Sequence, residues 1–394
     1  MMPLKNLLYL LQLEEYDLKR FNNWLRRYPN RIVLEKKNRL NWTPKARLIF
    51  MLAKIFNIRT AVFILSPIDS LFKKILIYRA RVKRKKMTDL IVIGVTGSFG
   101  KTTVKDELSH ILKPKYQVLK TEGNYNTLLG LAKTVIKNLG PEHEIFVCEM
   151  AAYQPGDIKA IARIIKPKIG IITAIGPMHL ERFGSIKNIL KTKLELIESL
   201  PKNGIGFLPK ELESQIKQDN FTARIEFFSS KEDLLIKIGE IFEFAKDEIL
   251  GRLKTMPPTP HRQEIIKASG DITIIDDTYN SNPTGFVSAL EILKNINAKR
   301  RILVTPGMIE FGEKQFELNK EAARSGAKIA DYVIIVGETN KKALKEGLKE
   351  ELKDDFEKKV FWTSDLDSAK KKLSEITLPN SAILLENDLP DHYF

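Results

Sequence analysis

Residues 94–103 read GVTGSFGKTT, a run whose residue types and spacing suit a phosphate chain. Gly97 and Gly100 let the backbone curl so that its N–H groups point inward, with Ser98 between them. Lys101 then brings a mobile positive charge to the β- and γ-phosphates, and Thr102, next to Thr103, offers a hydroxyl to Mg²⁺. One position departs from the strict spacing, since Val95 stands where the first glycine belongs. The loop must be held by what flanks it. Before it, Leu90-Ile91-Val92-Ile93 has the length and branching of a buried strand. After it, residues 104–112 have helical spacing. A helix start behind the loop adds the positive end of its dipole, which favours an anion there.

Three further constellations could join this chemistry. Val147-Cys148-Glu149-Met150 ends a second apolar run. A carboxylate at the carboxyl end of a parallel strand lies near the phosphate loop, so Glu149 is either a Mg²⁺ ligand or a solvated strand-end acid. His179, in Ile175-Gly176-Pro177-Met178-His179-Leu180-Glu181, falls on the loop after a third strand, and Lys193 lies fourteen residues on in a helical stretch. A lone histidine is as readily structural as functional. Residues 274–283 read IIDDTYNSNP, a strand running into a polar loop. Its Asp and Asn residues suit a ribose and a purine edge, or an Asx turn with a helix N-cap. Just upstream, Arg262 could set a guanidinium on a phosphate.

The elements around these residues fall into three segments. Residues 1–88 hold 21 Lys and Arg against 5 Asp and Glu, a net of +16, which is the net charge of the whole 394-residue chain. The remainder is balanced, so a distinct module facing something anionic follows. Leu4, Leu8, Leu11, Leu18, Phe21 and Leu25 are expected to share one helical face. Residues 47–66 are the most apolar stretch, broken by Lys54 and Arg59 and ended by Ser66-Pro67. That is too short and too charged for a membrane span, and fits an amphipathic surface helix. Residues 79–86 read as a linker. Residues 89–259 alternate strand and helix, with strands expected near 116–120, 144–150, 169–175 and 203–208. Residues 260–394 do so again, near 272–276, 301–305, 331–336, 359–362 and 382–386. The expected fold class is α/β: a P-loop parallel-sheet domain, then a Rossmann-like C-terminal domain, preceded by a basic helical module. A single cysteine, Cys148, excludes a disulfide framework and a cysteine zinc site and fits a reducing compartment. No signal peptide is visible: Glu14, Glu15 and Asp17 follow the first apolar stretch.

The motifs together resemble the Mur ligase family, most closely its branch that adds D-alanyl-D-alanine. The resemblance rests on TGSFGKTT, on Thr121-Glu122-Gly123-Asn124-Tyr125-Asn126, and on Glu149-Met150-Ala151-Ala152. It continues through residues 174–185 and Asp276–Pro283 to Pro306–Glu313, in order along the chain. It implies an ATP-dependent ligase with Mg²⁺ that phosphorylates a carboxylate and lets an amine attack the acyl phosphate. It implies that Lys101 and Thr102 bind ATP phosphates, and that Thr102, Glu149, His179 and a carbamylated Lys193 hold the metals. Arg262 would meet a phosphate, Asp277 the ribose and Asn280 the adenine. Asn124 and Asn126 would face substrate.

The chain departs from the family in its N-terminal module, in a short 209–259 region, and at residues 386–391, where the family often has Lys-Gly-Ser-Arg. The resulting expectation is a cytoplasmic ligase that adds an amino acid or dipeptide to a cell-wall precursor carboxylate, with residues 1–88 set on an anionic membrane surface. A nucleic-acid partner is disfavoured, because no known nucleic-acid motif is present. Two rivals are a related ligase on another acid, as in folylpolyglutamate synthesis, and a tethered ATP-binding protein without ligase activity.

Overall fold

The computed structural model describes residues 2–29, 32–33, 39–123, 125–279 and 281–393. Asn124 and Asn280, both expected at the site, lie outside the described residues.

The chain opens with four helices: α1 (Leu4–Leu13), α2 (Leu18–Arg27), α3 (Pro44–Ile55) and α4 (Ile58–Lys85). The face expected to run continuously from Leu4 to Leu25 is divided between α1 and α2. The break comes at Glu15 and Tyr16, both left-handed, after which the Asp17 carboxylate caps α2 by accepting from the N–H groups of Lys19 and Arg20. Leu8, Leu11 and Phe21 still meet, in a small core with Trp24, Ile49, Ala61 and Leu65.

Two expectations about the module fail. The surface helix expected over 47–66 is parted at Phe56 and Asn57 between α3 and α4, and its second part does not stop at Ser66-Pro67, because α4 runs through Pro67 and on for five more turns. Residues 79–86 are no linker either, since they form the last turns of that helix. There Ala80 and Arg84 are buried against the next domain. Arg84 fixes the docking: its guanidinium donates to the carbonyls of Ile165 (2.8 Å), Met87 (2.6 Å) and Leu90 (3.3 Å).

The central sheet is β1 (Ile91–Thr96), β2 (Val118–Lys120), β3 (Ile145–Glu149), β4 (Ile169–Ile172), β5 (Ile205–Pro209) and β6 (Arg224–Phe228), all parallel, in the order β2-β3-β1-β4-β5-β6. Strands covered on both faces read as unbroken apolar runs, as β1, β3 and β4 do. Along β1 and β3 alternate residues serve opposite faces. Val92, Phe146 and Cys148 join the core under helices α6 (Leu128–Lys137), α7 (Asp157–Ile165) and α9 (Ile186–Glu198). Ile93, Val95, Ile145 and Val147 join the core under α5 (Lys101–Leu112), α10 (Lys231–Ile241) and α11 (Lys246–Lys254). The short helix α8 (Leu180–Phe183) follows β4. Within 209–259, expected to be too short for more sheet, the chain still adds the edge strand β6.

The second sheet holds β7 (Glu264–Ala268), β8 (Ile272–Asp277), β9 (Arg300–Thr305), β10 (Tyr332–Val336), β11 (Val360–Thr363) and β12 (Ser381–Glu386). Its order is β11-β10-β9-β12-β8-β7, parallel except for the antiparallel edge strand β7. Helices α12 (Pro283–Asn295) and α13 (Gln315–Ala327) cover one face, and the helix Leu366–Ile376 covers the other. The β8–α12 loop comes from the carboxyl end of this sheet and faces the loop after β1.

Candidate active site

The loop between β1 and α5 needs its glycines for two different reasons. Gly97 adopts φ 148°, and a Cβ there would lie 2.1 Å from Thr173 Oγ1, so β4 leaves no room for a side chain. Gly100 caps α5 in the left-handed region at φ 79°, which an L residue adopts only with strain. Ser98 is tied down on both sides: its N–H donates to Ala174 O (2.8 Å), and its hydroxyl donates to Gly176 O (3.0 Å). The loop is thus stapled to the segment that bears His179.

Lys101 sits at the first position of α5 and folds back over the loop, donating to the carbonyls of Gly97 (2.8 Å) and Ser98 (3.1 Å). Burial pulls its pKa down, with Arg262 adding to the effect and Glu149 opposing it. The ammonium therefore lies in a pocket where an anion would relieve it. One residue on, Thr102 Oγ1 donates to Glu149 Oε2 (2.7 Å), and Arg262 Nη2 donates to the same hydroxyl (3.0 Å). Asn126 Nδ2 donates to the other Glu149 oxygen (2.9 Å), and Lys105 stands 3.8 Å away. Burial alone would raise the Glu149 pKa. Lys101, Asn126, Thr102 and Lys105 outweigh it and hold the carboxylate ionised. A hydroxyl and a carboxylate converging behind a phosphate loop are hard oxygen donors of the kind Mg²⁺ takes. Thr102 and Glu149 thus fit that ion, with Asn126 bracing the carboxylate through its amide nitrogen.

His179 lies in the left-handed region at φ 54°, capping α8. This turn aims its ring at Glu310, and Nδ1 forms a short hydrogen bond with that carboxylate. Arg182 donates to the same carboxylate at 3.2 Å and lies over the ring of Tyr153. Burial opposes ionisation of Glu310, but His179 and Arg182 together pull its pKa down to about 2. Lys193, on the inward face of α9, is 4% exposed. Burial, and then the charge of Lys101, lower its pKa to about 7. His179, Lys101 and Lys193 line one small cavity with Gly97 and Ser98. As they stand, an amine and an imidazole do not suit Mg²⁺; a carbamate on Lys193 would supply the missing oxygens.

Beside this small cavity lies a cleft of about 370 Å³ between the two sheet domains. Ser98, Gly100, Lys101, Thr102, Asn126, Glu149, His179 and Arg262 all line it. So do Tyr279, whose ring lies under Arg262, and Asn387 and Asp388, from the stretch where the sequence departs from the family. Thr103 is in the first turn of α5 and does not reach the cleft wall.

Asp277 is not in the lining. It is buried against Glu386, its partner across the β8–β12 register, and accepts from Gln263 Nε2 (3.4 Å). Desolvation raises the pKa of both acids and the charge of Asp277 raises that of Glu386 further, so Glu386 keeps a proton that Asp277 accepts as a hydrogen bond.

Two residues given no role from the sequence, Glu15 and Glu310, line this cleft, and a third, Arg182, stands behind Glu310. Glu310 lies inside the Pro306–Glu313 motif, but 131 positions from His179, so no spacing pairs the two. Arg182 lies inside the 174–185 motif. Glu15, from the turn between α1 and α2, closes the cleft on the N-terminal side. That turn also borders a second cavity of about 570 Å³, walled by Arg20, Trp24 and Arg27 of α2, and by Tyr153, Arg182 and Glu310. The two spaces share Glu15, Tyr153 and Glu310 as a common wall.

Comparison with known proteins agrees with this architecture. Residues 95–255 match the Mur ligase middle domain, and residues 261–386 match the Mur ligase, glutamate ligase domain. The UDP-N-acetylmuramoyl-tripeptide–D-alanyl-D-alanine ligase of Bacillus subtilis is 32% identical over 270 residues, covering 58% of this chain and 59% of that protein. Its counterpart from Buchnera aphidicola is 30% identical over 280 residues, covering 60% of each. The chain thus spans about 60% of the length of these relatives. Among solved structures, the MurF ligase from Thermotoga maritima in complex with ADP superposes with a TM-score of 0.70 at 24% identity, over 80% of each chain. MurF from Acinetobacter baumannii gives the same score at 22% identity, over 80% of this chain and 77% of that one. These structures share the fold. With both domain matches following one another through most of its length, the chain belongs to the Mur ligase family.

Proposed function

We propose that this protein is an ATP-dependent ligase that joins a carboxylate to an amine through an acyl phosphate. The acid would be a cell-wall precursor and the amine an amino acid or dipeptide. The carrying observation is the convergence, in one cleft between two domains, of Lys101, Thr102 and Glu149 with Arg262 from the other domain and with His179, behind which Lys193 lines an adjoining small cavity. Nucleotide binding alone has no use for the last two.

In this reading Lys101 leaves the Gly97 and Ser98 carbonyls for the β- and γ-phosphates, and the N–H groups of the loop and of α5 hold the remaining oxygens. Arg262 leaves Thr102 to meet a phosphate. Thr102 and Glu149 would hold one Mg²⁺, which would neutralise charge on the transferring phosphoryl group, and Asn126 would orient the Glu149 carboxylate. The neutral amine of Lys193 is poised to take up CO₂, losing a proton to give a carbamate beside His179. An oxygen of the substrate carboxylate attacks the γ-phosphorus and ADP leaves. The amine then attacks the acyl carbon, and phosphate departs with the electron pair of the broken C–O bond. The amine's proton passes to a base or to solvent. Fixed cations around the transferred phosphoryl group are the main source of rate in such chemistry.

Residues 1–94 lie outside both family matches, and α2 forms one wall of the second cavity. The family membership therefore bears less on the acid than on the ATP chemistry, and a related ligase acting on another acid is the second reading. We also propose that the enzyme works in the cytoplasm, peripheral to an anionic membrane face. The basic balance of residues 1–88 supports this, and no described helix is long and apolar enough to cross a membrane. The test of the ligase reading is a screen of the full chain with ATP against muramoyl peptides, folates and other carboxylates, crossed with amino acids and D-alanyl-D-alanine, read by mass spectrometry. Product must need acid, amine and ATP together. ATP hydrolysis indifferent to every acid and amine would leave a nucleotide-binding protein.

A further inference from the structure

From Ser66 to Arg79, nearly four turns of α4, no residue is buried. The stretch joins the N-terminal core, which holds Leu65, to the central domain, which holds Ala80 and Arg84, and touches the protein along one side only, through Asp69 at Lys45 and through Leu76 and Ile77 at the central core. Yet this bare stretch is not polar. Ile64, Ile68, Leu71, Ile75 and Tyr78 recur at helical spacing and form one stripe, each between 42% and 67% exposed. Phe72, at its edge, is 68% exposed. At the turn where α3 meets α4, Ile55 and Phe56 are also bare. Isolated exposed apolar residues need no explanation, but a continuous stripe of this length marks a surface that meets something.

The charges say what that something is. α4 has eight Lys and Arg and a single acid, Asp69, which is paired to Lys45 (3.0 Å) and Lys73 (2.8 Å). By helical spacing, Lys74, Arg81 and Lys85 flank the stripe on one side, and Arg79 stands in line with it one turn beyond Ile75, where its long side chain reaches the headgroups. An apolar face bordered by cations matches the boundary between acyl chains and anionic headgroups. A second copy of the chain is a poor occupant, because it would bring two modules of net +16 face to face.

We infer that α4 lies in the plane of an anionic bilayer, with Ile64, Ile68, Leu71, Phe72 and Ile75 inserted among the acyl chains and the flanking cations at the headgroups. The inference deepens the membrane reading given above, which needs only surface charge, and is independent of the ligase reading.

The experiment is flotation of the full chain with vesicles of phosphatidylglycerol and phosphatidylcholine, or of phosphatidylcholine alone. The comparison variant combines Ile68→Gln, Leu71→Gln, Phe72→Gln and Ile75→Gln, which leaves the charge unchanged and touches no cleft residue. The parent should float with anionic vesicles, and the variant's partitioning should fall at least tenfold. A second probe does not depend on the fourfold variant folding. Cys148, the only cysteine, is fully buried, so a polarity-sensitive dye on Leu71→Cys labels that site alone. Its emission should shift to the blue on vesicle binding and be quenched by spin-labelled acyl chains. Equal flotation of variant and parent, with an unshifted dye, would overturn insertion and leave attachment by charge. No flotation of the parent would overturn both readings. A dimer that forms without lipid and is dispersed by the fourfold variant would assign the stripe to a second copy and overturn the inference.

Discussion

The catalytic cleft and the N-terminal module treat charge in opposite ways. Around the cleft, ionisable groups are taken out of water. Glu149 and Lys193 are each 4% exposed, and Glu310 is held ionised inside a ring of His179 and Arg182. Burying a charge is costly unless partners meet it, so a cluster of buried and partnered groups points to chemistry. In the module, cations stay in solvent and apolar side chains stay there with them. The difference teaches where to look for each function: bond making where charge is buried, contact with another phase where apolar surface is not. Helix α4 holds both regimes along its length, bare in the middle and buried at Arg84.

The sharpest break of this comparison would come at Lys101. Lys101→Ala should lower ATP turnover a thousandfold or more while leaving the thermal transition in place, because the side chain faces the cleft. Turnover within a factor of two of the parent would remove it from the mechanism.

Next in size is Lys193→Ala, expected to cost about a hundredfold in rate and to be partly restored by short carboxylic acids. Its pH behaviour follows from a lowered pKa. The amine is neutral above about pH 7 and protonated below it. Carbamylation, and with it activity, should therefore fall as pH drops through 7 and recover with added bicarbonate. The same shift means that the unfolded chain binds more protons than the folded one between pH 7 and the ordinary lysine value. This group therefore makes stability rise with pH over that window. An activity flat from pH 6 to 8 and blind to bicarbonate would leave Lys193 as a buried structural amine.

Arg84→Ala should destabilise the chain by about 2–3 kcal/mol, since three carbonyls lose their donor where α4 docks. Chemical denaturation measures it. Slightly smaller is the effect of Glu310→Gln. A carboxylate with a folded pKa near 2 adds stability above its unfolded pKa, and that stability is lost as pH falls from about 4.5 toward 2. The parent should lose about 2 kcal/mol over that window that the variant does not. The smallest effect is expected from Leu71→Gln, within about 0.5 kcal/mol of the parent, because it is 58% exposed among the described residues. A large loss there would mean that the stripe packs within the fold.

The sequence made the core of the site readable because local order encodes it. Strand, glycine loop and helix are consecutive from Leu90 to Leu112, and Glu149 ends an apolar run that could only be buried. The strand positions in both sheets follow from such runs. The edge strand β7 escaped because four of its five residues are exposed and no buried face marks it. Pro67 misled: proline removes one helical hydrogen bond, and in α4 that loss falls where solvent can serve the freed carbonyl. Glu310 lies in a quoted motif, yet its partnership with His179 and the Asp277–Glu386 pair were illegible because each joins residues more than a hundred positions apart, through contacts that only the assembled sheets create.

Phosphorylation of a substrate carboxylate in this cleft would show itself in isotope transfer. UDP-N-acetylmuramoyl-tripeptide bearing ¹⁸O in its terminal carboxylate is incubated with the full chain, ATP, Mg²⁺ and D-alanyl-D-alanine, and the released phosphate is analysed by mass spectrometry. An acyl phosphate requires one ¹⁸O to move from the acid to each phosphate as the amide forms. Phosphate released without the label, its new oxygen drawn from water, would contradict the claim.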